Sequence, residues 1–465
     1  MSRPDRTAFW FPLLLFIAGL VAFGWNRDLK FVWWDEFLWY PEVLRVARES
    51  LPHGDIAALL HPTAWQYPPL FFLVAGGVVK ILGESFFAYR ALSILASALL
   101  ALWAYGIARE RGGNRAGMLA GYLALTFPLA HRFGAALLVD PFQAALVGGA
   151  LFLFVRAESR RTSLRGAAIV TALAGATKYT SFILPAAVLL VLLHDRLRSG
   201  PEEEKRTWGE IAFFGVVSFF PLLFLRLEDV RLLREMTFWR SLPLDWADLG
   251  RLVPPTLPLL ALGAPLLRGR FPRSFRAPWL FLLLWTLFFL WRRQHQQMNW
   301  FLPAAVPLAA LASWTLMVGA ASRMRFLASL AAAATVLYGG HRSWVEIRDY
   351  RERERIYTEA TAFVNEMTSA EGLVVVDALP FKSPLYVRPR TIDVRHGDPE
   401  EGEYAILVPW VYDNFRIRGL RGGAWGEVRE DAIRESWVLE KEYEVEGERV
   451  LEVWRNPRKA RAEEE

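Results

Sequence analysis

Cysteine is absent from this sequence of 465 residues. Its absence excludes disulfides, thiolate nucleophiles and cysteine-ligated zinc or iron–sulfur sites. The sequence also has no Gly-x-Gly-x-x-Gly fingerprint and no P-loop, so the usual nucleotide-binding modules are excluded. The seven histidines are scattered and form no His-Glu-x-x-His motif, which excludes the helical zinc site of metalloproteases.

Long apolar runs with few charges are abundant instead. Hydrophobic residues make up 54% of the chain, and each run approaches the roughly 20 residues that a helix needs to cross a bilayer. The sequence therefore predicts an α-helical polytopic membrane protein. About eleven transmembrane helices are predicted, at 8–24, 88–108, 116–134, 141–157, 165–179, 181–195, 208–225, 254–268, 277–291, 300–320 and 326–340.

Arginine and lysine residues lie in short clusters between the apolar runs, which argues against a nucleic-acid partner and for a lipid bilayer. The positive-inside rule places these loops and the N-terminus in the cytoplasm. The clusters are Arg109–Arg115, Arg156–Arg165, Arg196–Arg206 and Arg268–Arg276. The prediction is a multi-pass protein of the cell (inner or plasma) membrane. Loop 226–251 is the exception, because it is arginine-rich although it is placed outside.

The first apolar run, 8–24, is followed by Trp25 and lacks a small-residue cleavage site, so it is predicted to stay as a membrane helix. Residues 25–87 then form an extracytoplasmic loop. This loop contains an apolar stretch of helical length, Pro68–Leu82. If that stretch spanned the membrane, every later arginine cluster would face outward. We therefore predict a juxtamembrane helix lying in the plane of the interface.

The composition changes after residue 340. Residues 346–369 are typical of a surface helix, and Leu373–Asp377, Tyr404–Trp410 and Arg449–Trp454 are typical of short strands. The sequence therefore predicts a transmembrane domain at 1–340 and a small extracytoplasmic α/β domain at 341–465. The tail from Asn456 onward is predicted to be disordered.

Two adjacent carboxylates, Asp35 and Glu36, follow Trp33 and Trp34 just after the first apolar run. A carboxylate there can act as a general base toward an acceptor hydroxyl or amine, or can bind a divalent metal such as Mg²⁺ or Mn²⁺. The alternative interpretation is a solvated acidic pair beside interfacial tryptophan anchors. No cofactor is otherwise indicated.

Several cations are predicted on the outer face, away from the cytoplasmic clusters, and they suit an anionic lipid headgroup. They are Arg90, Lys178, Arg292 and Arg293. The alternative for each is a surface charge at a helix end, with Lys178 extending its ammonium to the interface. Asp140 precedes Pro141 and is either a functional ionisable residue at the membrane edge or an ordinary helix cap.

A series of short motifs from Asp35 to Pro307 occurs in an order that resembles the motif order of a known enzyme family. They are Asp35-Glu36, Tyr67-Pro68-Pro69-Leu70-Phe71-Phe72, Gly83 through Arg90, Asp140, Lys178, and Asn299-Trp300-Phe301-Leu302-Pro303 with Pro307. In this order the chain resembles the lipid-donor glycosyltransferases of the GT-C fold, in the bacterial branch of protein O-mannosyltransferase-like and aminoarabinose-transferase-like enzymes. A small exported domain after the last helix is also typical of them.

The resemblance implies an integral-membrane inverting glycosyltransferase. Its donor would be a polyprenyl-phosphate-linked sugar and its acceptor an extracytoplasmic lipid, glycan or protein. It implies a catalytic role for Asp35 with Glu36, and donor-phosphate binding by Arg90 and Lys178. The implied substrate cavity includes Trp34, His61, Tyr67, Arg132, Asp140, Asn299 and Trp300.

This sequence departs from the family pattern at two positions. Tyr67 stands where many relatives have a histidine or a basic residue, and Asn299 replaces the usual arginine. The phosphate-binding role then shifts to His61, Arg292 or Arg293. Two other functions remain open: a transporter or flippase for a lipid-linked sugar, which predicts an internal repeat that we do not find, and a non-catalytic assembly protein that kept the fold.

Overall fold

The computed structural model describes most of the chain. The described residues are 7–25, 36–54, 68–158, 162–198, 208–224, 250, 252–254, 256–267, 271–292, 301–319, 325–368, 372–376, 390–393, 399–408, 430–445 and 447–460. They divide into two compact units. We call them the membrane unit, which holds the described residues up to Ile347 except 36–38, and the C-terminal unit, which holds 36–38 and the described residues from Arg348.

Apolar helices build the membrane unit. They are α1 (Thr7–Gly24), α2 (Glu36–Arg45), α3 (Leu70–Leu82), α4 (Phe86–Leu125), α5 (Pro128–Phe133), α6 (Val139–Arg156), α7 (Thr162–Gly175), α8 (Ile183–Arg198), α9 (Trp208–Phe219), α10 (Thr256–Gly263), α11 (Arg276–Arg292), α12 (Ala305–Trp314) and the first part of α13 (Arg325–Met367). Helix α4 is central, because it packs against α1, α6 and α12.

The start and the division of α4 follow from single residues. Ser85 precedes the helix, and its hydroxyl accepts a hydrogen bond from the Ala88 amide at 3.1 Å, which caps the helix. Gly113 interrupts the helical geometry with φ 73° and ψ −176°. Glycine suits this backbone because φ is positive. The interruption lies between the predicted spans 88–108 and 116–134.

Small residues let the helices approach closely, as is common in membrane bundles. A Cβ atom at Gly148 of α6 would lie 2.9 Å from Val306 of α12 and 3.0 Å from Trp103 of α4. A Cβ atom at Gly121 of α4 would lie 2.5 Å from Leu15 of α1. Glycine at these two positions therefore sets the distance between α4 and its neighbours.

Four helical segments among the described residues are long and apolar enough to cross a membrane, and several shorter apolar helices accompany them. The four are Phe86–Leu125, Val139–Arg156, Tyr179–Arg198 and Arg273–Leu290. Helix α3, in the stretch predicted to lie in the interface plane, has 13 residues. At about 1.5 Å per residue it is about 20 Å long, shorter than a bilayer core of about 30 Å.

The C-terminal unit contains one five-stranded mixed sheet in the order β2-β1-β3-β5-β4. The strands are β1 (Leu373–Val376), β2 (Arg390–Asp393), β3 (Tyr404–Leu407), β4 (Val438–Val445) and β5 (Glu448–Arg455). Strand β1 runs parallel to β2 and β3, whereas β5 runs antiparallel to β3 and β4. Val375, Ala405 and Leu407 pack with Ile433 and Trp437, at the end of helix α14 (Glu430–Ser436), to form its core.

Three features of this unit differ from the predictions. The edge strands β2 and β4 were not predicted, and four of the eight residues of β4 are charged, as exposed edge strands often are. Helix α13 is continuous through the region predicted as a last span plus a separate surface helix. The predicted disordered tail does not begin at Asn456. That side chain is buried, donates to the Gly402 carbonyl at 3.0 Å and precedes helix α15 (Pro457–Ala460).

Candidate functional site

Four parts of the membrane unit meet where most of the described candidate residues lie. The Leu70 amide at the start of α3 donates to the Ala176 carbonyl at 3.2 Å. The Ser93 hydroxyl, one turn after Arg90 in α4, donates to the Leu138 carbonyl at 3.4 Å, directly before α6. These contacts bring the first turns of α3, α4 and α6 and the turn after α7 to one end of the bundle.

A buried ion pair joins α6 to the turn after α7. The Lys178 ammonium donates to Oδ1 of Asp140 at 2.6 Å, and the two side chains are only 4% and 5% exposed. Lys178 has extended backbone, with φ −156° and ψ 128°, because α7 has ended at Gly175 and a 3-10 turn begins at Tyr179. Lys178 therefore does not extend to the interface, and its charge is fixed inside the protein.

Asp140 does not cap α6 as predicted. The helix begins at Val139, and Leu138, with extended φ −126° and ψ 150°, occupies the capping position without a side-chain hydrogen bond. Asp140 lies in the first turn, where a carboxylate is favoured by the helix dipole. Asp140 forms the ion pair with Lys178 instead, so the helix-cap interpretation is wrong, and the functional role of this ionisable residue stays a prediction.

Gln143 extends this ion pair into a polar cluster, which we define as Asp140, Gln143, Lys178, Thr180 and Ser181. The Gln143 amide is fully buried, and Nε2 donates to Oγ1 of Thr180 at 2.9 Å and to Oγ of Ser181 at 2.8 Å. The Ser181 amide in turn donates to the Lys178 carbonyl at 3.0 Å. Gln143 thus fixes the turn that carries Lys178.

Sequence reasoning missed Gln143, Thr180 and Ser181. The only available signal was that Gln143 follows Asp140 by three residues, which places both on one face of a helix. Oε1 of Gln143 is buried and accepts no hydrogen bond from any described residue. An acceptor therefore remains in the cluster for a hydroxyl or a water.

Arg90 is buried, with 1% of its surface exposed, and its guanidinium lies 5.5 Å from the centre of the Phe86 ring. It is therefore not the surface charge at a helix end that the alternative interpretation required. Burial of a guanidinium needs compensating charge or hydrogen bonds, since desolvation of an ion costs several kcal/mol. Arg90 lies one turn before Ser93. Ser93 contacts Leu138, which precedes Asp140 of the polar cluster by two residues.

The remaining described candidates lie in other surroundings. Arg132 closes α5, and its guanidinium lies 5.7 Å from the centre of the Phe133 ring. The neighbouring His131 ring bonds the Leu125 carbonyl at 2.7 Å and contacts Phe23, so its polar atom is satisfied within the bundle. These contacts do not include the polar cluster.

Other predicted site residues lie outside the described part of the chain: Trp34, Asp35, His61, Tyr67, Arg293, Asn299 and Trp300. Glu36 opens α2 and Arg292 closes α11, and only their backbones are described. No group of three or more metal-ligating side chains occurs among the described residues. The metal assigned to Asp35 and Glu36 therefore stays a prediction.

The described parts of the first loop are anchored beside α4. A Cβ atom at Gly76 of α3 would lie 2.6 Å from the Val46 side chain, so α3 packs directly on the turn after α2. In that turn, Arg48 forms an exposed ion pair with Glu84, just before α4. The hydrogen bond from Arg48 holds the pKa of Glu84 below its ordinary value.

Comparisons with known proteins agree with this architecture. Residues 66–224, from before α3 to the short 3-10 helix after α9, match the family model described as dolichyl-phosphate-mannose-protein mannosyltransferase. ArnT from Cupriavidus metallidurans bound to undecaprenyl phosphate is 14% identical, with a TM-score of 0.56 over 96% of this chain and 98% of that one. Its apo state is 15% identical, with a TM-score of 0.58 and the same coverage, 96% and 98%.

An archaeal structure has the same fold. The Archaeoglobus fulgidus oligosaccharyltransferase in complex with Zn and sulfate is 10% identical, with a TM-score of 0.57 over 95% of this chain and 72% of that chain. A search of curated proteins found no match.

The class of protein follows from these similarities. The chain has the GT-C fold of membrane glycosyltransferases, with a small C-terminal sheet region. The family match covers residues 66–224 only, and the solved structures, at 10–15% identity, show the fold alone. The predicted resemblance is confirmed at this level.

Proposed function

We propose that the protein is an inverting glycosyltransferase of the cell membrane that takes its sugar from a polyprenyl-phosphate donor. The observation that carries the proposal is the buried Lys178–Asp140 pair, 2.6 Å long, inside the family-matched segment. ArnT, which has the same fold, was crystallised with undecaprenyl phosphate. The transfer site and the C-terminal unit are proposed to lie on the extracytoplasmic side, as the arginine clusters predict.

The proposed reaction is a single displacement. An acceptor hydroxyl or amine attacks the anomeric carbon on the face opposite the phosphate, and the bond between that carbon and the phosphate oxygen breaks. Polyprenyl phosphate leaves with the electron pair, and Asp35 takes the proton of the acceptor. The acceptor belongs to the lipids, glycans or proteins outside the cytoplasm, and the sugar is a hexose or a pentose.

The leaving phosphate gains negative charge as the bond breaks, so a fixed cation lowers the barrier. We assign this role to Lys178 and Arg90, whose charges are buried and therefore weakly screened. Asp140 holds the Lys178 ammonium in one orientation, and Gln143 holds the turn that carries it. Asp140 and Gln143 are thus positioning residues in this proposal.

The proposal is tested in liposomes that contain purified protein, a panel of polyprenyl-phosphate sugars and an envelope acceptor extract. Release of free polyprenyl phosphate is compared for the wild type, Lys178→Met and Lys80→Met. Lys80 is the matched control, because it is an exposed lysine at the end of α3. We expect release by the wild type and by Lys80→Met, and a loss of at least about a hundredfold for Lys178→Met.

Equal release by a folded Lys178→Met variant would exclude Lys178 from donor binding. Transfer of intact donor across the bilayer without release would instead support a flippase. Asp35→Asn completes the series, since it tests the proposed base separately from the cations.

A further inference from the structure

A concave site, separate from the polar cluster, lies near Arg109 of α4, towards the end of the helical stretch that precedes Gly113. It has a volume of about 510 Å³ and opens between α1, α4 and α6. Arg109, in its wall, follows Arg90 by 19 positions in the chain. At about 1.5 Å per residue these two arginines are about 28 Å apart along the helix, close to the thickness of a bilayer core. The site therefore lies near the opposite face of the membrane from the polar cluster.

Its wall combines an apolar and aromatic surface with a charged rim. The lining residues are Pro12, Leu102, Trp103, Tyr105, Gly106, Arg109, Glu110, Phe152 and Arg156. The guanidinium groups of Arg109 and Arg156 lie 5.7 Å and 5.3 Å from the ring centres of Tyr105 and Phe152. Such contacts hold an arginine above an aromatic wall while its charge stays near water.

The rim carries one net positive charge. Glu110 lies 3.3 Å from Arg156, so these two charges offset each other. Arg109 is exposed and pairs with no carboxylate in the described part of the chain. The neighbouring Glu158 is paired with Arg111, which leaves Arg109 as the excess charge.

The aromatic wall is built by close packing. A Cβ atom at Gly106 would lie 2.6 Å from the Phe152 ring, so the ring lies flat against α4 only because residue 106 is glycine. The indole Nε1 of Trp103 is buried and donates to no described residue.

We propose that this concave site binds a phospholipid with an anionic headgroup. The headgroup phosphate lies on Arg109 beside Arg156, and the glycerol and first acyl carbons lie against Trp103, Tyr105 and Phe152. An apolar wall with a cationic rim at the membrane surface matches a phospholipid better than a soluble phosphate. A soluble phosphate has no apolar part that could pack against the aromatic side chains. The inference does not depend on the proposed glycosyl transfer.

The test is native mass spectrometry of delipidated full-length protein in detergent, titrated with dioleoyl phosphatidylglycerol or dioleoyl phosphatidylcholine. Wild type and Arg109→Gln are compared with Arg165→Gln. Arg165 is the matched control, because its guanidinium lies 5.9 Å from the Phe213 ring and it does not line the site. We expect about a tenfold preference for phosphatidylglycerol in wild type and Arg165→Gln, and its loss in Arg109→Gln.

A second variant, Leu102→Trp, fills the site without changing its charge. We expect it to weaken binding of both lipids at this site. That result would show that the lipids bind inside the cavity and are not merely attracted by the surface charge. Titrations with glycerol phosphate and undecaprenyl phosphate distinguish the sources of the phosphate. An unchanged preference in Arg109→Gln, saturation by glycerol phosphate alone, or binding of undecaprenyl phosphate that is tighter than that of phosphatidylglycerol and is weakened by Leu102→Trp would each overturn the proposal.

Discussion

Two of the arginines of α4, Arg90 and Arg109, occupy contrasting environments on one helix. Arg90 is 1% exposed and lies near the polar cluster, whereas Arg109 is exposed at the rim of a concave site. An exposed arginine needs no special compensation, since its charge stays hydrated. A buried one is retained against a large desolvation cost. This contrast supports our two proposals, which place chemistry at the Arg90 end of α4 and lipid binding at the Arg109 end.

The largest expected effect comes from breaking the buried ion pair. Lys178→Met leaves the Asp140 carboxylate buried without its partner, which costs about 3–5 kcal/mol of unfolding free energy. The double variant Lys178→Met/Asp140→Leu removes both charges, and we expect it to regain most of that stability. Thermal unfolding in detergent measures both changes.

Activity in the same double variant sharpens the comparison. If Lys178 binds the donor phosphate, polyprenyl-phosphate release stays lost although the fold has recovered. If release returns together with stability, the ion pair serves only to hold α6 to the turn after α7. The burial of charge at the Arg90 end of α4 would then reflect packing and not donor binding.

Arg90→Gln is expected to have the next largest effect. It removes a buried positive charge that we assign to the leaving phosphate, so we expect a loss of about a hundredfold or more in the rate of release. Arg109→Gln is its counterpart on the same helix and should leave the rate within about twofold of wild type, because an exposed rim charge contributes little. Initial rates at saturating donor give both values. A similar loss of release rate in Arg90→Gln and Arg109→Gln would contradict the proposal that only the Arg90 end of α4 takes part in the transfer.

Gln143→Ala has an intermediate effect. It removes two hydrogen bonds and leaves Thr180 and Ser181 to find other partners, at a cost of about 1–3 kcal/mol. We expect release to fall through a lower kcat, because Lys178 loses its fixed position. Full activity in Gln143→Ala would show that the turn needs no such support.

The smallest effect is expected at the exposed pair of Arg48 and Glu84. The pKa of Glu84 is lowered in the folded state, so its contribution to stability is present above its unfolded pKa and is lost as pH falls through the folded value. Arg48→Ala should therefore lower the unfolding temperature slightly at pH 7 and not at all at strongly acid pH. Thermal scans across pH 2–7 check the sign. A larger effect at acid pH would contradict it.

The fold was predictable where one local signal dominates. Long apolar runs gave the membrane class, and the residues around Gly113 separated two spans that the structure joins in one bent helix. The order of weak motifs, including Pro68-Pro69, Asp140 and Lys178, led to the resemblance that the fold and the family match over residues 66–224 support. These features depend on local sequence alone, so no tertiary information was needed.

The polar cluster was predictable only in part. Asp140 and Lys178 stood out because charges within apolar sequence are rare. Their pairing was not predicted, since it depends on how α6 meets the turn after α7. Gln143 looks like an ordinary polar residue in a helix until the structure places Thr180 and Ser181 beside it. Strand β4 was missed for a similar reason, because an edge strand carries charges that weaken its apolar pattern.

The most direct test of the central claim is the stoichiometry of the reaction in liposomes. Radiolabelled sugar transferred to the acceptor extract and free polyprenyl phosphate are measured in the same time course for wild type and for Lys178→Met/Asp140→Leu. The account predicts one polyprenyl phosphate released for each sugar transferred by the wild type, no release without acceptor, and neither product from the double variant. Sugar transfer by the folded double variant, or donor movement across the bilayer without release, would contradict it.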